Sequence, residues 1–350
     1  MKKRKSSRVS IRDIAKAAGI SNAAAGFALQ NRPKVGRATR ERVLRIAKQL
    51  GYAPDPRLAV MMTSVRKART KEFLPIAWLN AHSEEDAWQK YKFLSPYLEG
   101  ARERGSQLGY RLEEIWLRQP GMTMKRISQI LDQRGVEGVI ATHHARHFRL
   151  NWDHLAGVAL EHTVLAPRLH QVTTDFFSNY LLAIKMLRRA GYQRIGICLA
   201  ESIDRRTSHA IRAMTHYLES TRPKSKQIPP FIYLGESDEA WRTTRQQMIA
   251  WLRCHQPDVI VGHDNRLERY VKEAGFRVPG DMGVVHLATD DDVSDWAGIF
   301  SNRKAIGAAA LDWVVSLIQN RQFGVPDTAL HTSVKGTWHL GRTLLIPKPK

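Results

Sequence analysis

The chain has 350 residues, 43% of them hydrophobic and 25% charged, a composition that suits a folded protein with more than one core and excludes a low-complexity or disordered one. Its formal net charge is +22, and the first seventy residues hold 18 Lys and Arg against 3 Asp and Glu, so most of the surplus sits in one fifth of the chain. Cys198 and Cys254 are too few for a disulfide framework or a zinc site, and no stretch has the roughly 18 successive apolar residues of a membrane span.

The basic start, residues 1–8, is followed by a polar helix pattern rather than the apolar run of a secretory signal. These features predict a cytoplasmic protein with access to the chromosome. Ser10 is placed to cap a first helix, with Asp13 at its third position, and Ile11, Ile14, Ala15 and Ala18 fall on one face. Gly19 permits a sharp turn and Ile20 plugs it. Ser21 then caps a second helix that runs to Leu29, whose Ala24, Ala25, Ala28 and Leu29 form a small-residue face able to pack closely on the first. The spacing is that of a helix-turn-helix. A third helix is predicted from Thr39 as cap, with Val43, Leu44, Ile46, Ala47 and Leu50 as an inward stripe and Gly51 as a left-handed stop. Arg37, Arg40, Arg42, Arg45 and Lys48 line its outer side and approach, a set suited to phosphate contact.

The block Val9-Ser10-Ile11-Arg12-Asp13-Ile14-Ala15-Lys16-Ala17-Ala18-Gly19-Ile20-Ser21, followed by Leu29, Arg32-Pro33, Val35, Thr39-Arg40-Glu41-Arg42-Val43, Ala47 and Leu50-Gly51-Tyr52-Ala53-Pro54-Asp55, resembles the headpiece of the lactose-repressor (LacI/GalR) family of bacterial transcription regulators. The resemblance implies a homodimer that sets one recognition helix per subunit in the major groove of a pseudo-palindromic operator. It implies major-groove contacts from Ser21, Asn22, Ala23 and Phe27, and phosphate contacts from Arg12, Arg32, Lys34, Arg37 and Arg40. Where the family usually has Thr-Val-Ser-Arg, this chain has Ala24-Ala25-Gly26-Phe27, which removes hydroxyl contacts to phosphate and a donor to guanine. Base reading then falls on Asn22, which can pair bidentately with adenine, and on Ala23. Phe27 either touches a thymine methyl or packs into the headpiece core.

Residues 55–62, Asp55-Pro56-Arg57-Leu58-Ala59-Val60-Met61-Met62, resemble the family's hinge helix, with Asp55 as cap and Pro56 at the first helical position. The resemblance places Arg57, Leu58 and Met61 in the minor groove, with Met61 as an apolar wedge. So short a helix is unstable alone, because nucleation dominates below roughly 12 residues. The same segment also reads as a plain linker. The basic stretch 65–71 connects it to the next module. The predicted organisation is a tail (1–8), a headpiece (9–54), a hinge and linker (55–71) and a second module (72–350).

Beyond residue 72 strands and helices alternate. Strands are predicted at 75–79, 110–116, 136–140, 194–199, 231–234, 259–261 and 284–287; helices are predicted at 91–108, 124–134, 176–190, 209–220, 241–255, 267–274 and 311–320. Cys198, inside an apolar strand, reads as a buried core thiol. Such alternation predicts parallel sheets with right-handed crossovers. With Val172-Thr173-Thr174-Asp175, Ala190-Gly191-Tyr192-Gln193-Arg194-Ile195, Pro257-Asp258 and 275–281, the module resembles the two-lobed periplasmic-binding-protein fold of the family's effector domain. The expected fold is therefore an all-α helix-turn-helix headpiece joined to an α/β two-lobed module.

That resemblance implies a small-molecule effector, a sugar or sugar derivative, bound by Asp175, Arg206, Asp264, Asn265 and Asp290. Trp78, Trp88, Trp116, Trp152, Trp241 and Trp296 are candidate aromatic plates for it. His143, His144 and His147 lack a neighbouring carboxylate pair and are not expected to hold a metal. The sequence contains no Gly-rich phosphate loop, nucleophile elbow or diagnostic carboxylate pair, so neither cofactor nor catalysis is expected. The function expected is a DNA-binding transcription regulator, by family habit a repressor, whose operator affinity answers to the effector. Two rivals stand beside it: a small-molecule-binding protein or sugar enzyme with a vestigial headpiece, and an architectural DNA binder.

Overall fold

The computed structural model describes residues 9–29, 35–52, 73–142, 147–162, 164–221, 223–234, 238–290 and 293–345, with side chains omitted at 238–241. The expected hinge helix, with Arg57, Leu58 and Met61, lies outside the described residues, as do Arg32, Lys34, His143 and His144.

The headpiece is three helices, α1 (Ile11–Ala18), α2 (Asn22–Leu29) and α3 (Arg37–Gln49). A reciprocal capping box starts α1: the Ser10 hydroxyl accepts from the Asp13 N–H at 3.4 Å, and Asp13 Oδ2 accepts from the Ser10 N–H at 2.8 Å. Gly19, at φ 63°, turns the chain in the left-handed region, and the Ser21 hydroxyl accepts from the Ala24 N–H at 3.1 Å to start α2. Ile14, Ala18, Ala28, Val35, Val43 and Ala47 form the core, which Val9, Ile20, Phe27, Leu29, Ile46 and Tyr52 flank.

Two expectations for α3 are corrected. It begins after Gly36, not Thr39, because the Gly36 carbonyl already accepts from the Arg40 N–H at 3.0 Å. Leu44 and Leu50 are 48% and 40% exposed, so the buried stripe narrows to Val43 and Ala47 with Ile46 at its edge.

The second module has two lobes, each built on a six-stranded sheet. In chain order it runs β1 (Leu74–Asn80), α4 (Ala87–Lys90), α5 (Ser95–Leu108), β2 (Tyr110–Trp116), α6 (Met124–Gln133), β3 (Gly138–Ala141), β4 (Ala156–Leu160), β5 (His170–Thr174), α7 (Phe176–Arg189), β6 (Ile195–Ala200), α8 (Glu201–Arg206), α9 (Ala210–Ser220) and β7 (Phe231–Tyr233). It continues with α10 (Asp238–His255), β8 (Val259–Gly262), α11 (Leu267–Glu273), β9 (Gly283–His286), β10 (Ala297–Phe300), α12 (Arg303–Asn320), β11 (His331–Val334) and β12 (Thr337–His339).

The first sheet, ordered β11-β5-β4-β3-β1-β2, is parallel throughout; the second, ordered β12-β10-β9-β8-β6-β7, is parallel apart from its antiparallel edge strand β12. The sheets are the expected ones, and Cys198 is buried as expected. The sequence reading passed over β4, β5, β10, β11, β12, α4 and α8. These are short segments, and a short apolar run such as Ala156–Leu160 has no period that separates strand from helix. It also began the last helix at 311, although α12 starts at Arg303. Its missing turns contain Gly307 and four alanines, which mark a close crossing rather than an apolar stripe. A Cβ at Gly307 would stand 1.8 Å from the Tyr97 carbonyl oxygen, and one at Gly100 1.9 Å from that of Lys304. The α5–α12 contact is thus backbone against backbone, and it carries α12 onto the core of the first lobe.

The chain passes between the lobes at 174–176, 300–303 and 334–337. These crossovers brace one another: the Asp175 N–H donates to the Val334 carbonyl at 2.9 Å, the Gly336 N–H to Asn179 Oδ1 at 2.7 Å, and Asn302 Nδ2 to the Lys335 carbonyl at 2.9 Å.

Candidate functional site

On the headpiece, the start of α2 presents Ser21, Asn22 and Ala23 to solvent, with the Ser21 hydroxyl already engaged as the cap. Arg12 is exposed on α1. Arg37 is exposed too and pairs with Glu41 at 3.0 Å, while Arg40 Nη2 donates to the Val35 carbonyl at 3.2 Å. Phe27, for which two roles were open, is half-buried against the headpiece core.

A cavity of about 500 Å³ lies between the two lobes. Its walls follow one geometric rule. Glu161 follows β4, Thr174 ends β5, Ser202 and Ile203 follow β6, Tyr233 ends β7, His263 and Asp264 follow β8, Ala288 follows β9 and Ser301 follows β10. The carboxyl ends of parallel strands open onto the crevice where an α/β sheet binds ligands. Arg206, Asn265, Arg266 and Arg303 add cationic and amide groups, and Phe93, Tyr97 and Phe176 add aromatic faces.

Two carboxylates stand in this wall, and both are heavily engaged. Asp264 Oδ1 accepts from the backbone N–H and the Nε of Arg266, each at 2.9 Å; Oδ2 accepts from Arg266 Nη2 at 3.0 Å and the Tyr233 hydroxyl at 2.9 Å. Glu161, buried and at φ 57°, accepts through Oε1 from the Tyr97 hydroxyl at 2.7 Å and the Thr174 hydroxyl at 2.8 Å, and through Oε2 from the Thr174 N–H at 3.1 Å. Burial pushes the Glu161 carboxyl above its ordinary value, although those hydrogen bonds and the positive charge of Arg303 pull the other way. Burial likewise holds His263 well below the usual imidazole range, and His286, Arg303 and Arg206 add to the effect. The Arg303 guanidinium stands 5.9 Å from the Tyr97 ring centre.

Of the five effector residues expected, Arg206, Asp264 and Asn265 line this cavity. The other two, Asp175 and Asp290, are not among its lining residues. Asp175 caps α7, where Oδ1 accepts from the Ser178 N–H at 2.9 Å. Asp290 reaches the N–H groups of Ser301 at 3.2 Å and Arg303 at 3.4 Å. Both carboxylates satisfy backbone donors that the interlobe crossovers would otherwise leave without acceptors.

Of the six tryptophans expected as plates, Trp241 lies outside the described side chains and the other five do not line the cavity. Trp78 and Trp88 are fully buried in the first lobe, edge to face at 4.9 Å, Trp116 bonds the His82 carbonyl, Trp152 packs on Phe148, and Trp296 meets His286 edge-on. Among the described side chains no tryptophan lines the cavity. Sequence reasoning missed Tyr97, Glu161, Thr174, Tyr233, His263 and Arg303. Two of them, Glu161 and His263, were signalled by standing directly after the short apolar runs Ala156–Leu160 and Val259–Gly262.

His147 makes an isolated bridge to Ala166, and the described residues contain no group of three or more His, Cys, Asp or Glu able to hold a metal ion. No described helix is long and apolar enough to cross a membrane.

Residues 10–55 match the family described as "Bacterial regulatory proteins, lacI family". The chain is 25% identical over 132 residues to the HTH-type transcriptional regulator MalR of Streptococcus pneumoniae, a match that spans 38% of each chain. It is 22% identical over 296 residues, 81% of each chain, to the HTH-type transcriptional repressor CytR of Escherichia coli. Among solved structures, the transcriptional regulator CelR–cellobiose complex superposes with a TM-score of 0.56 at 15% identity, covering 96% of this chain and 100% of that one, a likeness of fold. The helix-turn-helix at residues 10–55 thus matches the lacI family of bacterial regulatory proteins, and the chain as a whole shares the fold of the regulator it superposes on.

Proposed function

We propose that this protein is a sequence-specific DNA-binding transcription regulator, acting as a repressor, whose operator affinity is set by a small molecule bound between the lobes. The headpiece reads operator DNA through Asn22 and Ala23, with Arg12, Arg37 and Arg40 at phosphates, in a homodimer that matches a two-fold operator. Arg32 and Lys34, and the minor-groove set Arg57, Leu58 and Met61, complete the proposed interface. The effector is a sugar or sugar derivative, the class bound by the regulator CelR in its cellobiose complex. The chain works by binding rather than catalysis, in the cytoplasm on chromosomal DNA.

The observation that carries this reading is the position of the cavity. Its wall takes residues from both sheets and from the crossovers themselves, Thr174, Ser301 and Arg303 among them. A ligand seated there touches both lobes at once and so binds one interlobe angle better than another. That differential affinity is what a ligand needs to shift a two-state equilibrium.

Genome-wide footprinting with and without candidate sugars tests it. Protected sites should form an inverted repeat, and one sugar should change their occupancy. Protection without any sequence preference would favour an architectural binder instead. The replacement of hydroxyl and Arg positions by Ala24, Gly26 and Phe27 is the feature that favours a vestigial headpiece. A salt slope near zero for DNA binding would support that alternative, since each phosphate contact releases counterions.

A further inference from the structure

The positive charge of the two-lobed module is concentrated. Residues 71–350 hold 37 Lys and Arg against 30 Asp and Glu, while residues 185–226 alone hold 10 against 3. The module's whole cationic surplus therefore sits in that stretch, and the remainder is balanced. Its three carboxylates are engaged or set apart. Asp204 is fully buried and held by His209 and Arg212 at 2.7 and 2.9 Å, Glu219 lies 3.9 Å from His216, and Glu201 follows β6 at its cleft end.

The fold gathers the exposed cations at one end of the second lobe. Lys185, Arg188 and Arg189 stand on the outer side of the last turns of α7, and Lys224 and Lys226 lie in a 3-10 turn before β7. Lys226 Nζ donates to Gln193 Oε1 at 3.0 Å, Arg194 Nη1 to the Ser225 carbonyl at 3.3 Å, and the Gly191 N–H to the Arg188 carbonyl at 3.1 Å. These bonds tie the turn to the end of α7. Strands β6 and β7 begin here, so this end is opposite the cleft. Among the described residues none of the five cations pairs with a carboxylate. Asp258, at the same end, gives its Oδ2 to the N–H groups of Gln193 and Arg194 at 2.6 and 3.0 Å, and Asp281 pairs with Arg277 at 2.8 Å.

The negative end of α7 is worth about half an elementary charge, which one arginine already offsets. The other cations answer to something else. Within 185–226 the one large apolar side chain left exposed is Tyr217, on α9, which packs beside α7 through the Tyr180–Thr215 hydrogen bond at 2.9 Å. A protein partner would need an apolar centre inside the charged rim, and a single strand would need several aromatic plates. Long cationic side chains without carboxylate partners instead suit the closely spaced phosphates of a duplex.

We infer that this end of the second lobe is a second DNA-contact surface, which binds the phosphate backbone of duplex DNA without reading its sequence. It adds to the headpiece contacts and requires no ligand in the cleft.

The test is acetylation of the full-length protein, read lysine by lysine by mass spectrometry, with and without an excess of random-sequence duplex. At about 50 mM salt the duplex should slow Lys185, Lys224 and Lys226 at least about threefold and leave Lys125 on α6 unchanged, and the effect should vanish near about 0.5 M salt. Combining Arg188→Gln, Arg189→Gln and Lys224→Gln should lower the salt slope of duplex binding by about 2 to 3, since each phosphate contact contributes about 0.9. An unchanged slope overturns the inference. Slowing confined to the headpiece lysines Lys16 and Lys48 also overturns it and leaves the DNA-binding reading standing, whereas no slowing anywhere removes both. Slowing of Lys185, Lys224 and Lys226 by polyglutamate but not by the duplex overturns it in favour of an acidic protein partner.

Discussion

The headpiece and the two-lobed module place their recognition surfaces in opposite ways. In the headpiece, small core residues such as Ala18, Ala28 and Ala47 draw three short helices together, and the residues proposed for recognition, Arg12, Asn22 and Ala23, point outward from helices adjacent in sequence. In the module, large parallel sheets bury Trp78, Trp88 and Tyr97, and the surface proposed for recognition is an inward crevice assembled from strand ends between residues 93 and 303. An outward face made by one helix is readable as a local pattern, whereas a crevice between two sheets exists only after both have folded. The difference also assigns the two regions separate vulnerabilities: the module to backbone crowding and acid, the headpiece to loss of its caps and of base contacts.

The largest predicted effect belongs to the module. Gly307→Ala puts a methyl group 1.8 Å from the Tyr97 carbonyl oxygen. The substitution gains about 1 kcal/mol of helix propensity. Forcing α12 off α5 costs about 3 kcal/mol or more, because a backbone oxygen cannot rotate aside. The crowding therefore wins, and chemical denaturation should show a clear net loss of stability for the module. An unchanged midpoint would mean that the two helices do not meet at this glycine.

Acid should act on the same side of the comparison. Burial pushes His286 down to about 4, and its Nδ1 accepts from the Ala288 N–H at 3.1 Å, a bond that protonation would break. The folded state therefore binds fewer protons than the unfolded one. The stability due to His286 is complete above the ordinary imidazole value and declines as pH falls toward 4, by about 3 kcal/mol at the limit. His263 acts in the same direction. Denaturation curves at pH 7 and pH 4 should show this loss in the wild type and a flatter response in His286→Gln. The first histidine in the chain is His82, so the headpiece has no such term.

Next in size is Asn22→Ala, which should lower discrimination at one base position of each half-site by about 1–3 kcal/mol, read by selection of bound DNA from a random pool. An identical selected motif would remove Asn22 from base contact. The smallest effect is at the cap. Ser10→Ala should cost the headpiece about 1 kcal/mol, visible in thermal melting of the headpiece and absent from the module's transition. The Ser10 hydrogen bonds hold the Asp13 carboxyl below its usual value, so the capping contribution should fade as pH drops through the carboxylate range.

Much of this architecture was legible in order along the chain. Ser10 with Asp13, Gly19 and Ser21 announced the first two helices because capping and turning are local requirements. Arg206, Asp264 and Asn265 reached the cavity as the family resemblance implied. Asp175 and Asp290 did not, and no local pattern could have separated them from the others. Their role is set by the backbone N–H groups of Ser178, Ser301 and Arg303 that happen to need acceptors there. Leu44 misled for a related reason: it neighbours the buried Val43 in sequence yet faces away from a three-helix core too small to cover it.

The amino-acid sequence alone determined that a cationic helix-turn-helix precedes an alternating strand–helix module, since charge, period and capping chemistry act over a few residues. The tertiary structure alone decided which groups share the crevice. Glu161, Tyr97 and Thr174 meet across more than sixty residues of chain, and Arg303 joins them only because α12 returns to the first lobe on its glycines. Convergence of that kind is enforced by sheet order and helix packing, which are collective properties of the fold and leave no mark at any single position.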